Sequence, residues 1–238
     1  MLYHTCNFRR CLNKLVLNSS ACCSEGKKAH GNGGCHELSF FKRIRDNIDR
    51  RNRLPKTDSE TLFSLSSAYV TLEVKLGLKV TGRCALTFKT VSGTFFYQME
   101  QDIRQFLGNL QPEFDLIWRT STDSYGYMWI VFEGKRIEDL LAGLTTVGDI
   151  VEERGFSDQL LAAVFEFSSE REEGRRKLQY LIYNYKRNKF YPFVPTGEKT
   201  IDAEQQMKMM ATIAEEVPFE RDMTLWYPLW DLPLRSLG

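Results

Sequence analysis

Histidine and cysteine are almost missing from the larger part of this chain. All three histidines precede residue 37, and Cys84 is the one cysteine within residues 38–238. Without histidine, this part cannot form a Ser-His or Cys-His pair or a histidine-ligated metal site. A single thiol is typical of a reducing compartment, and we predict that Cys84 is a small core residue rather than a nucleophile.

Long apolar runs and nucleotide-binding glycine patterns are also missing. No apolar stretch approaches the roughly 20 residues that span a bilayer, which predicts a protein that is soluble or bound to a membrane surface. There is no phosphate-loop, dinucleotide-binding, Gly-x-Ser-x-Gly or His-Glu-x-x-His pattern. The acidic pairs are adjacent, as on solvated faces, so a hydrolase that uses carboxylates alone is a minor alternative. We therefore predict no catalytic, cofactor-binding or metal-binding residue.

Residues 1–37 differ from the rest in composition. They hold five of the six cysteines, lack sustained periodicity and finish in GNGGC. Their spacings, such as Cys6-x4-Cys11, do not match the Cys-x2-Cys pairs of zinc modules. We interpret this part as a disordered or mis-started N-terminal extension. A targeting segment is the alternative, because no acidic residue precedes Glu25.

Residues 38–55 predict a short basic amphipathic helix, with Ser39 as a cap and Pro55 at its end. Residues 40–54 carry a net charge of +4, whereas residues 55–238 carry −6. An apolar stripe flanked by cations suits an anionic membrane surface or a protein partner, and docking on the body of the protein is the alternative. The residues predicted to bind membrane or partner are Phe40, Phe41, Arg43, Ile44, Arg45, Arg50 and Arg51.

Residues 56–238 predict a single α+β domain. The periodicities give the order helix, strand, helix, hairpin, helix, strand, hairpin, helix. This order predicts an antiparallel sheet of about five to six strands with helices packed on it. Helices are expected at residues 57–76, 95–110, 135–154 and 203–216, single strands at 79–90 and 160–167, a hairpin at 114–133, and a solvated charged turn at 168–177.

Several local signals refine this outline. The first helix should break near Ser66-Ser67, Asp123 should be a structural turn residue, and Asp202 should cap the last helix. Gly77 is expected to end the first helix. The residues predicted to face inward from the last helix are Met207, Met210 and Ile213.

The stretch LQYLIYNYKRNKFYPFVP, residues 178–195, predicts a β-hairpin around a basic turn. Both arms carry apolar residues on both faces, so we predict a central position in the sheet. The run resembles an RNA-binding strand only loosely, since it lacks the glycine of that motif and the body is acidic; we predict no nucleic-acid partner. The aromatic tail at residues 225–234 predicts a clasp over the core or a partner-binding strip. The residues assigned to partner binding or to the clasp are Tyr185, Lys186, Arg187, Trp226, Tyr227 and Trp230.

Three strings of residues together resemble the PspA-associated protein B (PspAB) family. They are SLSSAYVTLEVKLGLKVTGRCALTFK, YNYKRNKFYPFVP and WYPLWDLPL. The resemblance covers about residues 39–238. Members of that family start at about the pair Phe40-Phe41, so residues 1–37 depart from the family pattern.

The resemblance implies a small non-enzymatic accessory protein without established catalytic residues. Such proteins occur alongside PspA, a membrane-remodelling coiled-coil protein of envelope stress, and an HtpX-like membrane zinc protease. The resemblance also implies a type III secretion chaperone-like (YbjN-like) fold. We therefore predict a cytoplasmic adaptor, peripheral on the cytoplasmic face of the membrane, with a PspA-like coiled-coil protein or an HtpX-like protease as partner. A chaperone-like homodimeric protein-binding module with no membrane role is the alternative.

Overall fold

The computed structural model describes residues 59–110, 115–170 and 176–234. The predictions for the extension at residues 1–37 and for the basic helix at 38–55 lie outside the described residues. The same holds for every membrane-binding candidate in that helix: Phe40, Phe41, Arg43, Ile44, Arg45, Arg50 and Arg51.

The described part alternates helices and strands as the sequence patterns indicate. The helices are α1 (Ser59–Phe63), α2 (Leu65–Leu76), α3 (Thr94–Leu110), α4 (Ile137–Glu153) and α5 (Ala203–Ile213), with 3-10 turns at Ser157–Gln159 and Met223–Leu225. The strands are β1 (Lys79–Lys89), β2 (Leu116–Thr122), β3 (Tyr127–Gly134), β4 (Leu160–Glu170), β5 (Arg176–Asn184), β6 (Lys189–Phe193), β7 (Pro195–Gly197) and β8 (Thr200–Ile201). No described helix combines the length and the apolar character needed to cross a bilayer.

Six strands form one antiparallel sheet in the order β2-β3-β1-β4-β5-β6, and β7 and β8 form a small separate ribbon. The predicted α+β class with an antiparallel sheet of about five to six strands is confirmed. Strands β1 and β4 lie at the centre, where Cys84, Leu86 and Phe165 are buried. The sheet therefore has β2 and β6 as its two edges.

The hairpin β5–β6 is not central, and the prediction of a central position was wrong because β6 is an edge strand. The outer edge of β6 is covered by other segments of the chain. The Phe190 N–H donates to the Pro218 carbonyl (2.8 Å), and the Phe190 carbonyl accepts from the Glu220 N–H (2.8 Å). Pro192 has no N–H, and its carbonyl accepts from the Gln206 side chain (2.9 Å). Because its outer edge is covered, β6 can lie at the edge of the sheet and still have the apolar composition of a central strand.

The sheet separates two apolar layers, because successive side chains of a strand point to opposite faces. The helix face is packed against the α-helices and includes Phe88, Phe132 and Phe165. The second face carries Trp129 and Tyr191 and is covered by the C-terminal residues of the chain. Because both faces are buried, the strands lack a simple alternation of apolar and polar residues.

Several element ends differ from the predictions. The first helix breaks at Ser64 rather than at Ser66-Ser67, because the Ser64 hydroxyl donates to the Thr61 carbonyl (2.6 Å) and closes α1. The charged turn at residues 168–177 is shorter than expected, since β4 continues to residue 170 and β5 begins at residue 176.

The last helix ends at Ile213, three residues before the predicted end. Of the residues predicted to face inward, Ile213 is buried and the half-buried Met210 packs against the core, whereas Met207 is only half-buried and Met209 is buried instead. The predicted helix cap is confirmed, because the Asp202 carboxylate accepts from the Gln205 N–H (2.9 Å). The predicted end of the first helix is also confirmed: Gly77 has a left-handed conformation with φ of 65°.

Candidate functional site

The second face of the sheet is hollow at one end, because small residues occupy the central strands there. Thr87 pairs with Trp129 on one side and with Ala162 on the other, and Ala162 pairs with Asn184. Bulky Trp129 and Tyr191 flank this row of small side chains, and both are almost completely buried. The register of the strands therefore produces a depression between two aromatic walls.

Asp123 holds one wall of this depression in place. Its carboxylate accepts hydrogen bonds of 2.9 Å from the Tyr125 N–H, the Tyr127 N–H and the Trp129 indole Nε1–H. These bonds fix the turn between β2 and β3 and the orientation of the indole ring. Asp123 is thus a structural turn residue, as predicted, and it also places a carboxylate at one end of the hollow.

Residues 226–234, which we call the C-terminal strap, cross over the second face. The Trp226 indole N–H donates to the Glu220 carbonyl (2.9 Å), and the Tyr191 hydroxyl donates to the Tyr227 carbonyl (3.1 Å). The ring of Trp230 stands edge-on to Phe193, with centroids 5.2 Å apart. Further along, the Pro233 carbonyl accepts from Arg119 and Leu234 is buried. The strap is therefore fixed at both ends and along its length.

The strap and the hollow enclose a groove of about 570 Å³, a size common among ligand pockets. We call it the aromatic groove. Its rings are those of Tyr125, Tyr127, Trp129, Tyr191, Tyr227 and Trp230. Its polar lining consists of Thr87, Asp123, Asn184, Lys186 and Asp231. A smaller cavity of about 220 Å³ lies on the other side of the strap, against β6 and the start of α5.

The groove is mostly apolar, and its few charged groups lie apart from one another along the chain. Burial raises the pKa of the Tyr191 hydroxyl, so this group remains a neutral donor to the strap at physiological pH. The Asn184 carboxamide accepts from the Lys186 N–H (3.0 Å) and shapes the turn that carries Lys186. An apolar pocket with a few polar groups at its border is suited to bind an apolar side chain or molecule and to orient it.

The structure brings three of the six predicted partner-binding or clasp residues together. Lys186, Tyr227 and Trp230 line the aromatic groove, and 54% of Tyr227 and 37% of Trp230 are exposed. Trp226 lines the smaller cavity instead, together with Tyr227 and Trp230. The strap thus presents aromatic surface to both cavities.

Tyr185 and Arg187 lie elsewhere. Tyr185 is buried on the helix face, where its ring contacts Tyr183 with centroids 5.1 Å apart. Burial raises its pKa strongly, with a further contribution from the neighbouring Tyr183. It therefore belongs to the core and cannot reach a partner. Arg187 is ion-paired with the buried Glu220, which ties the β5–β6 turn to the segment before the strap.

Trp129 and Tyr191, which form the walls of the groove, were not among the predicted site residues. Each belongs to a strand with apolar residues on both faces, so its composition does not reveal which residues face the same cavity. The available signal was the two-residue spacing of Tyr127 and Trp129, which places both on one side of β3.

A second charged group lies on the same sheet face, outside the groove. The carboxylate of the fully buried Glu166 accepts from Arg83 Nε (2.7 Å) and lies 2.5 Å from Arg83 Nη2. Burial and the adjacent Glu166 raise the pKa of Tyr180. The ion pair with Arg83 stabilises the buried carboxylate of Glu166, so this carboxylate has a structural role. Within residues 59–110, 115–170 and 176–234 there is no cluster of three His, Cys, Asp or Glu residues that could hold a metal ion.

Comparison with known families gives a match over most of the chain. The family model described as PspA associated protein B matches residues 39–234, which include all of the strands and helices given above. The resemblance stated from the sequence is therefore confirmed at the level of the family. No curated protein matches the chain.

Proposed function

Because the chain belongs to the PspA associated protein B family, we propose that it is a non-enzymatic adaptor of a PspA-type membrane stress response. In this proposal it acts in the cytoplasm, at the inner surface of the membrane, by binding a protein partner. The family description itself says only that its members are associated with PspA.

The observation that carries the proposal is the aromatic groove. Large apolar surfaces are rarely left accessible without a binding role. Here a tyrosine and a tryptophan of the strap are partly exposed beside a pocket whose walls are the rings of Trp129 and Tyr191. Tyrosine and tryptophan are also the residues that contribute most to protein interfaces.

The groove fits an anchoring side chain rather than a whole interface. A stable interface buries about 800 Å² on each partner, so a pocket of this size supplies its centre and the neighbouring surface supplies the rest. Exposed Tyr125 and Tyr227 flank the groove and extend the apolar surface. Lys186 and Asp231 add opposite charges at its border, which would select the orientation of the partner.

A PspA-like coiled-coil protein is the partner we propose for this site. Its helices would present apolar residues at intervals of three and four positions, and one such residue would enter the groove. An HtpX-like membrane protease is the second partner that the family resemblance implies. The basic residues 38–55 would hold the complex at the anionic membrane surface, each cation contributing about 1 kcal/mol.

The proposal is tested by isothermal titration of the full-length protein with the purified PspA-like coiled-coil protein of the same organism. Replacing Tyr227 by Ser removes an exposed ring but keeps the main-chain carbonyl that accepts from Tyr191. We expect Tyr227→Ser and Lys186→Glu each to weaken binding about tenfold, which corresponds to about 1.4 kcal/mol.

The matched control is Tyr97→Ser, since Tyr97 lies on α3, away from the groove, and 61% of it is exposed. This variant should bind like the natural protein. Absence of binding by the natural protein, or an equal loss in Tyr97→Ser, would contradict the proposed role of the groove.

A further inference from the structure

The two edge strands of the six-stranded sheet differ in whether their outward backbone groups are hydrogen-bonded. On the β6 edge, backbone groups of Phe190 bond to residues 218 and 220, and Gln206 donates to the Pro192 carbonyl. The Asp202 N–H donates to the Val194 carbonyl just beyond that strand (2.9 Å). The β6 edge is therefore closed to any further strand.

The β2 edge is open in the described structure. The Asp123 N–H donates to the Tyr127 carbonyl (3.0 Å), so the backbone groups of Asp123 point toward β3. Together with the pairing of β2 and β3, this bond shows which residues of β2 point toward β3 and which point away from it. Inward and outward backbone groups alternate along such a ladder. The residues whose N–H and C=O groups point away from β3 are Leu116, Trp118, Thr120 and Thr122. Within residues 59–110, 115–170 and 176–234, no hydrogen bond reaches these outward backbone groups.

Strand β2 lacks most of the features that usually protect an edge strand. Residues 116–122, LIWRTST, contain no proline, lysine or acidic residue. Seven consecutive pairs with β3 run without a bulge. Arg119 is the one charged residue of the strand, and its guanidinium bonds to the Pro233 carbonyl over the second face instead of guarding the edge. A regular, unguarded edge favours the addition of another strand.

We propose that β2 pairs antiparallel with β2 of a second copy of this chain, so that two six-stranded sheets join into one continuous sheet. An antiparallel edge is complementary to itself, because a two-fold axis places outward groups of one copy opposite outward groups of the other. Arg119 is the one charged residue of the strand, and its guanidinium bonds to the Pro233 carbonyl of its own copy, over the second face.

Two further features extend the contact beyond the strand. Half of Ile117 is exposed on the second face, where the added strand would shield it. On the helix face, Arg104 of α3 donates to the Thr120 hydroxyl (3.3 Å), which places α3 beside the edge. The helices α3 of both copies would then flank the joined strands. This interface is separate from the aromatic groove and does not depend on the function proposed for it.

The test is the mass of the full-length protein by sedimentation equilibrium, with Thr120→Pro as the main variant. The Thr120 N–H points outward, so proline removes a donor of the proposed interface and leaves the ladder with β3 intact. We expect twice the sequence mass for the natural protein and the sequence mass for Thr120→Pro. Thr120→Val keeps the N–H and should remain a dimer.

Two further variants keep the test decisive if Thr120→Pro fails to fold by circular dichroism. Ile117→Lys places a charge beside the edge at an exposed position and should raise the dimer dissociation constant at least tenfold. Val74→Lys, at an exposed position on α2, is its matched control and should change nothing. A natural protein that stays monomeric at about 100 µM, or a dimer that neither Thr120→Pro nor Ile117→Lys weakens, would overturn the proposal.

Discussion

The hydroxyl of Tyr191 donates a 3.1 Å hydrogen bond to the main-chain carbonyl of Tyr227, and this bond ties the strap to the edge strand β6. Tyr191 also forms a wall of the aromatic groove and borders the smaller cavity. The same contact therefore stabilises the strap and sets the width of both cavities. Removal of this hydrogen bond should loosen the strap more than it loosens the sheet.

Replacing Tyr191 by Phe deletes this hydrogen bond and keeps the ring. We expect a loss of about 1 kcal/mol in the free energy of unfolding, measured by urea denaturation, and faster proteolysis within residues 226–234. Tyr125→Phe is the control, because Tyr125 is exposed and its ring lies on the other wall. Equal stability and equal cleavage of the two variants would show that the strap does not depend on this bond.

Glu220 should make stability depend on pH. Its side chain is buried, and the hydrogen bond from Arg187 lowers the pKa of its carboxyl below the ordinary value of 4.5. A lowered pKa in the folded state stabilises the protein above the unfolded pKa, and this contribution is lost as the pH falls through the folded pKa. At pH 7, Glu220→Gln should be less stable by about 1–3 kcal/mol, because a charged hydrogen bond is lost.

The difference between the natural protein and Glu220→Gln should shrink in urea titrations below about pH 4.5 and vanish at lower pH. Glu204→Gln is the matched control, since Glu204 forms an exposed pair with Lys208 within one helix turn. Such pairs contribute only a few tenths of a kcal/mol. A difference for Glu220→Gln that is constant with pH would contradict the role given to its charge.

Gly82 should tolerate no side chain. It lies in the irregular part of β1 with φ of 82°, and an added Cβ would lie 2.5 Å from the Gly134 carbonyl oxygen. We expect Gly82→Ala to lower the free energy of unfolding by about 3 kcal/mol or more. Gly77→Ala is the control for backbone strain alone: φ is 65°, but no atom of the described residues beyond its chain neighbours lies within 4 Å of the added Cβ, so a loss of about 1–2 kcal/mol is expected. Similar losses for both variants in thermal unfolding would argue against the contact with Gly134.

Local sequence signals were sufficient for most of the elements. The spacing of Phe96, Met99, Ile103 and Leu107 placed α3 correctly, and all four side chains are buried. Asp202 marked a helix start through the hydrogen bond that its carboxylate accepts, and Gly77 marked a helix end through the left-handed conformation that glycine readily adopts. These signals succeed because the interactions involve residues within four or five positions of each other.

The order of the strands and the groove could not be predicted in this way. The residues around Phe190 look central in sequence because segments more than twenty positions later cover their edge. Trp129, Ala162 and Tyr191 meet only through the pairing of distant strands, and no local pattern encodes that register. Tyr185 was predicted to bind a partner or to belong to the clasp, but the alternation of side chains along β5 continues into it and turns it toward the helices.

The basic residues 38–55 should bring the protein to anionic membranes. The double variant Phe40→Ser, Phe41→Ser of the full-length protein should lose sedimentation with anionic vesicles, because inserted aromatic rings and nearby cations act together. Binding should weaken as the salt concentration rises. Phe95→Ser with Tyr97→Ser is the matched control, since these exposed rings lie on α3. Equal binding to neutral vesicles, or an unchanged double variant, would remove the membrane role from the proposal.

We propose that a PspA-like coiled-coil protein binds at the aromatic groove. Amide hydrogen exchange of the full-length protein, followed by mass spectrometry with and without that partner, tests it most directly. We expect slower exchange in peptides covering residues 123–129 and 226–231 and unchanged exchange in α3. Slower exchange confined to α3, or none at either groove segment while the complex is formed, would contradict it.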